Sequence, residues 1–172
     1  MSSKQTVVSF VKGKDVKKIT REAISLIGGL EPALKSVNTV LIKPNFGVDL
    51  PSTTGGTTNP EVVATLIDLA KEAGAKRVIV GESSVVGYNA GEIFEFLGVR
   101  ELFEKAGAEL VNMDSDKSVQ VKVPNGRIFE KIRIHRTAWE SDFIIGVPVM
   151  KTHFQTVVSL SLKNMRGSFL TR

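Results

Sequence analysis

"KEAGAKRVIVGES" (Lys71–Ser83) is echoed one helix later by "EKAGAELVNMDSD" (Glu104–Asp116). Each stretch reads as a helix end, a glycine turn, an apolar run and a polar end. A short apolar run between turn signals marks a strand covered on both faces. Helix and buried strand in alternation is the grammar of βαβ units and a parallel sheet.

Working outward, "NTVLIKPN" (Asn38–Asn45) is another continuous apolar run, and it stops at Pro44. Between these strands "PEVVATLIDLAKEAG" predicts a helix, with Asn59 as N-cap, Pro60 in the first turn and Gly74 just past the end. Upstream, Val16, Ile19, Ala23 and Ile27 recur at helical spacing behind a capping Asp15, and "TVVSFV" (Thr6–Val11) reads as a short strand. Downstream, "NAGEIFEFLGVRELFEKAG" gives one broken helix or two short ones, split at Gly98. Asn125-Gly126, between "SVQVKVP" and "RIFEKIRI", is a hairpin signal. "HRTAWESD" is a short helix or turn, and "DFIIGVPVM" (Asp142–Met150) is the last buried strand. The expected architecture is α/β: a mostly parallel sheet flanked by helices, with an inserted antiparallel hairpin, in a single domain over residues 1–172. Strands ending at Lys43, Glu82, Asp114 and Met150 should share the sheet.

Composition narrows the function. At 172 residues the chain is long enough for a sizeable core, and its 42% hydrophobic content suits a globular protein. It has no cysteine, which excludes disulfides, thiolate chemistry and a cysteine-held zinc or iron–sulfur site within the chain. No metal ligand set is expected. No apolar run is long enough to span a bilayer, so no membrane partner and a cytoplasmic location are expected. The net charge of +5 is scattered, and only 6% of residues are aromatic. A nucleic-acid interface needs a clustered basic stripe with stacking rings, so none is expected. A small anion suits this charge better.

In open parallel sheets ligands bind beyond the C-terminal strand ends. Those ends offer Lys43 and Asn45, Glu82, Ser83 and Ser84, Asn112 and Asp114, and Lys151, Thr152 and His153, a mixed-charge set that could equally be ordinary wet strand ends. Lys43 follows an unbroken apolar run, so it points into a cleft or snorkels out of the sheet edge. "TTGGTTNP" (Thr53–Pro60) leads into a helix N-terminus, where Thr57, Thr58 and backbone N–H groups suit a carboxylate; the alternative is a flexible loop and an ordinary cap. It matches neither phosphate-loop pattern. "GESSV" resembles a nucleophile elbow, but Val85 stands where the last glycine is required. His135 reads as a surface or capping histidine. Lys151 and His153 share a face on extended chain, and the cation favours a neutral imidazole, either as a base or ligand or as a turn histidine with bonded nitrogens. Lys163, Asn164 and Arg166 follow. "VVSLSL" (Val157–Leu162) alternates like a strand and also fits one helix face; if it is helical, Lys163 meets His153 only if the chain doubles back at Phe154–Thr156. It is expected to do so, with His153 and Lys163 both facing the cleft beside Lys151; the alternative is that Lys163 and Arg166 are ordinary C-terminal helix cations.

"VLIKPNFG", "TTNPEVVATLIDLAKEAGAKRVIVGESS" and "FIIGVPVMKTHFQTVVSLSLKNMRG" together resemble the family catalogued as domain of unknown function 362, over about Val40 to Gly167. Its marks are a strand ending Lys-Pro-Asn, a Thr-x-Pro-Glu helix start, a strand ending Gly-Glu-Ser, and Met-Lys-Thr-His followed by Leu-Lys-Asn-x-x-Gly. The resemblance implies that this chain is either the N-terminal part of a longer protein or a short member lacking the second half, and that some members carry a ferredoxin-type cysteine domain. It also implies a distant similarity to nickel-pincer lactate racemases, in which a histidine and a lysine ten residues later are a base and a cofactor tether. His153 and Lys163 have that spacing. The run before Lys163 is apolar rather than glycine-rich, so a shared scaffold and acid/base site are implied, not a shared cofactor.

The leading expectation is an α/β domain binding a small anionic, carboxylate-type ligand at the C-terminal strand ends. Lys43, Asn45, Thr57, Thr58, Ser83, Lys151 and Asn164 would hold it, and His153, Glu82 or Lys163 would move a proton. The alternative is a binding or redox-partner module for iron–sulfur, ferredoxin-type proteins. The residues choose neither a cofactor nor an oligomeric state.

Overall fold

The computed structural model describes residues 6–170. In chain order the elements are α1 (Val16–Leu26), α2 (Glu31–Leu34), β1 (Thr39–Pro44), α3 (Pro60–Glu72), β2 (Arg77–Glu82), α4 (Ala90–Leu97), α5 (Val99–Lys105) and β3 (Glu109–Asn112). Then come β4 (Ser118–Lys122), β5 (Lys131–His135), α6 (Arg136–Glu140), β6 (Phe143–Val147), β7 (Lys151–His153), β8 (Val157–Ser159) and α7 (Ser161–Asn164). The main sheet runs β3-β2-β1-β6 and every pairing in it is parallel. Two antiparallel pairs, β4-β5 and β7-β8, stand apart from it.

Local chemistry accounts for the helices. Asp15 accepts from the Lys18 N–H at the start of α1, and Asn59 accepts from the Glu61 N–H at the start of α3. Gly98 has φ 61 and parts α4 from α5, a left-handed turn that glycine adopts without penalty. Alternate residues of β1 and β2 then face two layers. Val40, Ile42, Val78 and Val80 pack with Val63, Ile67, Phe94 and Phe103 of the helices. Phe46, just beyond β1, stacks on Phe103 with ring centroids 6.3 Å apart. Leu41 and Ile79 face the other way, onto Met113, Ala138 and Ile134 beneath the β4-β5 ribbon.

Several stretches differ from the sequence reading. β3 ends at Asn112 rather than Asp114, where Met113–Ser115 turn into a short 3-10 helix. Thr6–Val11 forms no strand; Ser9 Oγ instead donates to the Ala23 carbonyl of α1 at 2.7 Å, and Val8 and Phe10 stay exposed. Its β-branched residues favour pleated chain, but that preference is realised only against a sheet edge. The last sheet strand stops at Val147 rather than Met150, because Pro148 has no N–H to donate. Lys151–His153 then pairs with Val157–Ser159 as a separate ribbon. The β4-β5 ribbon closes through a longer loop than a two-residue turn. Gly126 N–H bonds Val123 O, and of the two central candidates Asn125 alone has positive φ (55°). With Pro124 ahead of it that is a type II turn, not the type I′ turn of a tight hairpin.

Candidate functional site

β1 and β2 are parallel neighbours, so their C-terminal ends open on the same side of the sheet. There Lys43 Nζ lies 2.6 Å from Glu82 Oε1, and the two side chains are 1% and 4% exposed. Glu82 also accepts from the backbone N–H groups of Ser83 (3.0 Å) and Phe46 (3.2 Å). A buried carboxylate persists only with such company. Burial pushes the Glu82 carboxyl above its usual range, while the Lys43 ammonium and the two N–H groups pull the other way. Lys43 therefore does not snorkel into solvent; its ammonium is ion-paired at the floor of a cavity.

The C-terminal segment closes over this pair. Asn164 Nδ2 donates to the Lys43 carbonyl at 3.0 Å, and Asn164 Oδ1 lies 3.3 Å from Lys43 Nζ. Gly167 comes next over the pair. A Cβ there would sit 2.6 Å from Glu82 Oε1 and 3.0 Å from Lys43 Nζ. The Gly167 carbonyl in turn accepts from Ser83 Oγ at 2.8 Å. Asn164 and Gly167 are three apart, about one helical turn, which brings both to the same strand ends.

A cavity of about 140 Å³ stands above the pair. Lys43 and Glu82 reach it from below, and Asn45, Ser83, Lys163 and Arg166 are among its walls. Glu82 is the one carboxylate among the described lining residues. Among the described residues no carboxylate lies within 4.0 Å of Lys163 or Arg166. The cavity thus has a neutralised floor and an unneutralised cationic rim.

The other expected residues are placed differently. Thr58 Oγ1 donates to Val147 O and accepts from Asn45 N–H, tying β1 to the end of β6. Thr57 Oγ1 donates to Leu50 O. Both threonines are buried, so their hydroxyls serve the backbone. Asn45 Nδ2 and Lys151 Nζ both donate to Gly56 O, at 2.8 and 2.6 Å. Burial, then the Lys163 charge, lowers the Lys151 pKa.

The chain does double back at Phe154–Thr156, with His153 opposite Val157. His153 Nδ1 accepts from the Gln155 and Thr156 N–H groups, both at 3.2 Å, and the ring stacks on Phe154. Desolvation, then Lys163 and Lys151, lowers its pKa. With Nδ1 accepting, the neutral ring carries its proton on Nε2. It can donate to an anion there and has no free nitrogen lone pair to act as a base. Lys163 lines the cavity; His153 and Lys151 do not.

His135, expected on the surface, is 2% exposed. Phe169 bridges to Ile134, and Leu170 N–H bonds Arg133 O, so residues 167–170 lie across the end of β5. His135 Nδ1 and Ser168 Oγ are both buried without a hydrogen-bond partner. Burial holds the His135 pKa below its ordinary value, against the opposing pull of Asp116 and Asp114. No local pattern in the sequence signals this burial. Gly167 is legible in the sequence only through the Lys-Asn-x-x-Gly spacing, and Arg166 only as a C-terminal cation.

Among the described residues no group of three His, Cys, Asp or Glu could hold a metal ion. No helix of the described residues is long and apolar enough to cross a membrane. The family model described as "Domain of unknown function (DUF362)" matches residues 40–172, and the chain belongs to that family. A curated relative, "Thylakoid-associated protein sll1697" of Synechocystis sp., is 27% identical over 147 residues. The match covers 86% of this chain and 44% of the relative, so the chain spans less than half of that protein's length.

Proposed function

We propose that this DUF362 member binds a small carboxylate-type anion in the cavity above Lys43 and Glu82, with Lys163 and Arg166 as its charged contacts. One observation carries the reading: the cavity's single carboxylate is already paired, while two cations on its wall have no acidic partner among the described residues. A concave site with a few convergent polar groups is where a ligand is sought first. Lys163 and Arg166 donate to the anion, and Ser83 and Asn45 border it. Lys43 Nζ donates to Glu82 Oε1 at 2.6 Å beneath the ligand, and acid/base chemistry at this site would run through that pair. The proposed setting is cytoplasmic, on the aqueous side of any membrane; the Synechocystis relative is named for association with thylakoids.

The test is calorimetric titration of the whole chain with acetate, small dicarboxylates and inorganic phosphate. A carboxylate should bind, and Lys163→Met or Arg166→Met should weaken it roughly tenfold to a hundredfold, the loss of one charge-assisted hydrogen bond. Failure of every carboxylate to bind at millimolar concentration, or equal binding by both variants, would overturn the reading. Phosphate binding alone would replace the carboxylate class while keeping the site.

A further inference from the structure

The segment after β6 carries two features that the cavity does not use. One is charge. All the acidic residues of the chain precede Phe143; from there on the described residues hold Lys151, Lys163 and Arg166 and no Asp or Glu. The other is apolar exposure. Met150 is 79% exposed, Phe154 91%, Val157 81% and Leu162 93%, all on or beside the β7-β8 ribbon and α7. Single exposed apolar side chains need no explanation, but a group of large ones in one short stretch marks an interaction surface.

The geometry points to an anionic lipid surface as the occupant: we propose that the β7-β8 turn and α7 dock on it, Phe154, Val157 and Leu162 entering the headgroup layer and Lys163 and Arg166 meeting phosphates. Charge complementarity argues for an anionic partner and against a second copy of this chain. Two copies meeting by this segment would oppose cations with no carboxylate between them. The form of the surface separates lipid from an acidic protein. None of the four apolar side chains lines the cavity above Lys43 and Glu82, and Phe154 and Leu162 are more than nine-tenths exposed, so they stand clear of their own chain. A protein partner needs a shaped counterpart to such projections, whereas a fluid interfacial layer accommodates them. Each cation near an anionic leaflet strengthens binding by roughly fivefold, an effect that salt screens.

This inference goes beyond the anion site but shares Lys163 and Arg166 with it, so its test uses residues outside the cavity wall. The whole chain is sedimented with vesicles of phosphatidylcholine, with and without phosphatidylglycerol. Binding is expected only to the anionic vesicles and should fall as salt is added. The double variant F154S/L162S should lose at least about tenfold in partitioning while keeping its melting curve and its carboxylate titration. In F154W, emission should shift to the blue on anionic vesicles and be quenched by brominated lipid. No sedimentation with anionic vesicles, or partitioning and emission indifferent to these substitutions, would overturn the proposal. So would a concentration-dependent dimer that F154S/L162S abolishes in the absence of vesicle binding.

Discussion

Asn164 holds Lys43 at both ends: its Nδ2 donates to the Lys43 carbonyl at 3.0 Å, and its Oδ1 lies 3.3 Å from the Lys43 ammonium. One amide thus meets a buried acceptor and a buried donor of the same residue, 121 positions away in the chain. Asn164→Ala takes this donor from the Lys43 carbonyl, while the Lys43 ammonium keeps Glu82 and the Pro44 carbonyl, so the expected cost is that of one unmet buried group, about 1–3 kcal/mol. Urea unfolding should show that loss with an unchanged slope. Wild-type stability in N164A would mean that the contact contributes nothing.

Gly167→Ala places a methyl group 2.6 Å from Glu82 Oε1. The obstacle is the close approach to the ion pair. Overpacking of this kind typically costs about 1–3 kcal/mol. Carboxylate binding should weaken as well, because the cavity floor must shift. A G167A protein with native melting and native titration would show that the segment is free to lift.

Lys43→Met leaves the Glu82 carboxyl buried without its cation. Removing one member of a buried pair costs about 3–5 kcal/mol, and replacing both members often restores stability. K43M should therefore melt well below wild type, and K43M/E82L should recover most of the difference. This reverses what a lysine at a sheet edge would suggest, because the side chain is 1% exposed. Equal melting of K43M and wild type would contradict the burial of the pair.

The pH dependence of stability should carry a His135 contribution. Burial, its first cause, lowers the folded-state pKa below the ordinary value of about 6.5. Between those two values the unfolded chain binds the proton and the folded chain does not. Stability from this source is therefore present above about pH 6.5 and is lost as pH falls towards the folded value. Melting temperatures of wild type and His135→Leu, compared from pH 7.5 to 5, should diverge in slope, with wild type the steeper. Parallel curves would show that the imidazole is not held neutral by its surroundings.

Local signals made much of the sheet legible. The apolar runs Val40–Ile42 and Val78–Val80 could only be covered on both faces, and they pair in parallel at the centre of the sheet. Asn59, Pro60 and Gly74 bounded α3 because caps and breakers act within a turn of where they stand. The same locality misplaced Thr6–Val11, whose composition is that of a strand but which has no sheet edge beside it.

At the site, the sequence by itself determined which residue types end the strands: Lys43, Asn45, Glu82 and Ser83 follow apolar runs in an open parallel sheet. Only the tertiary structure decided what each does. Lys43 and Glu82 are 39 residues apart, and Asn164 is 121 from Lys43. Nothing in either neighbourhood encodes the pairing. Burial converts a lysine that water would have solvated into an ion-paired one, because a charge removed from water must find an opposite charge or give up its proton. The same step seats Gly167 on that pair and leaves Lys163 and Arg166 on the cavity wall without a carboxylate.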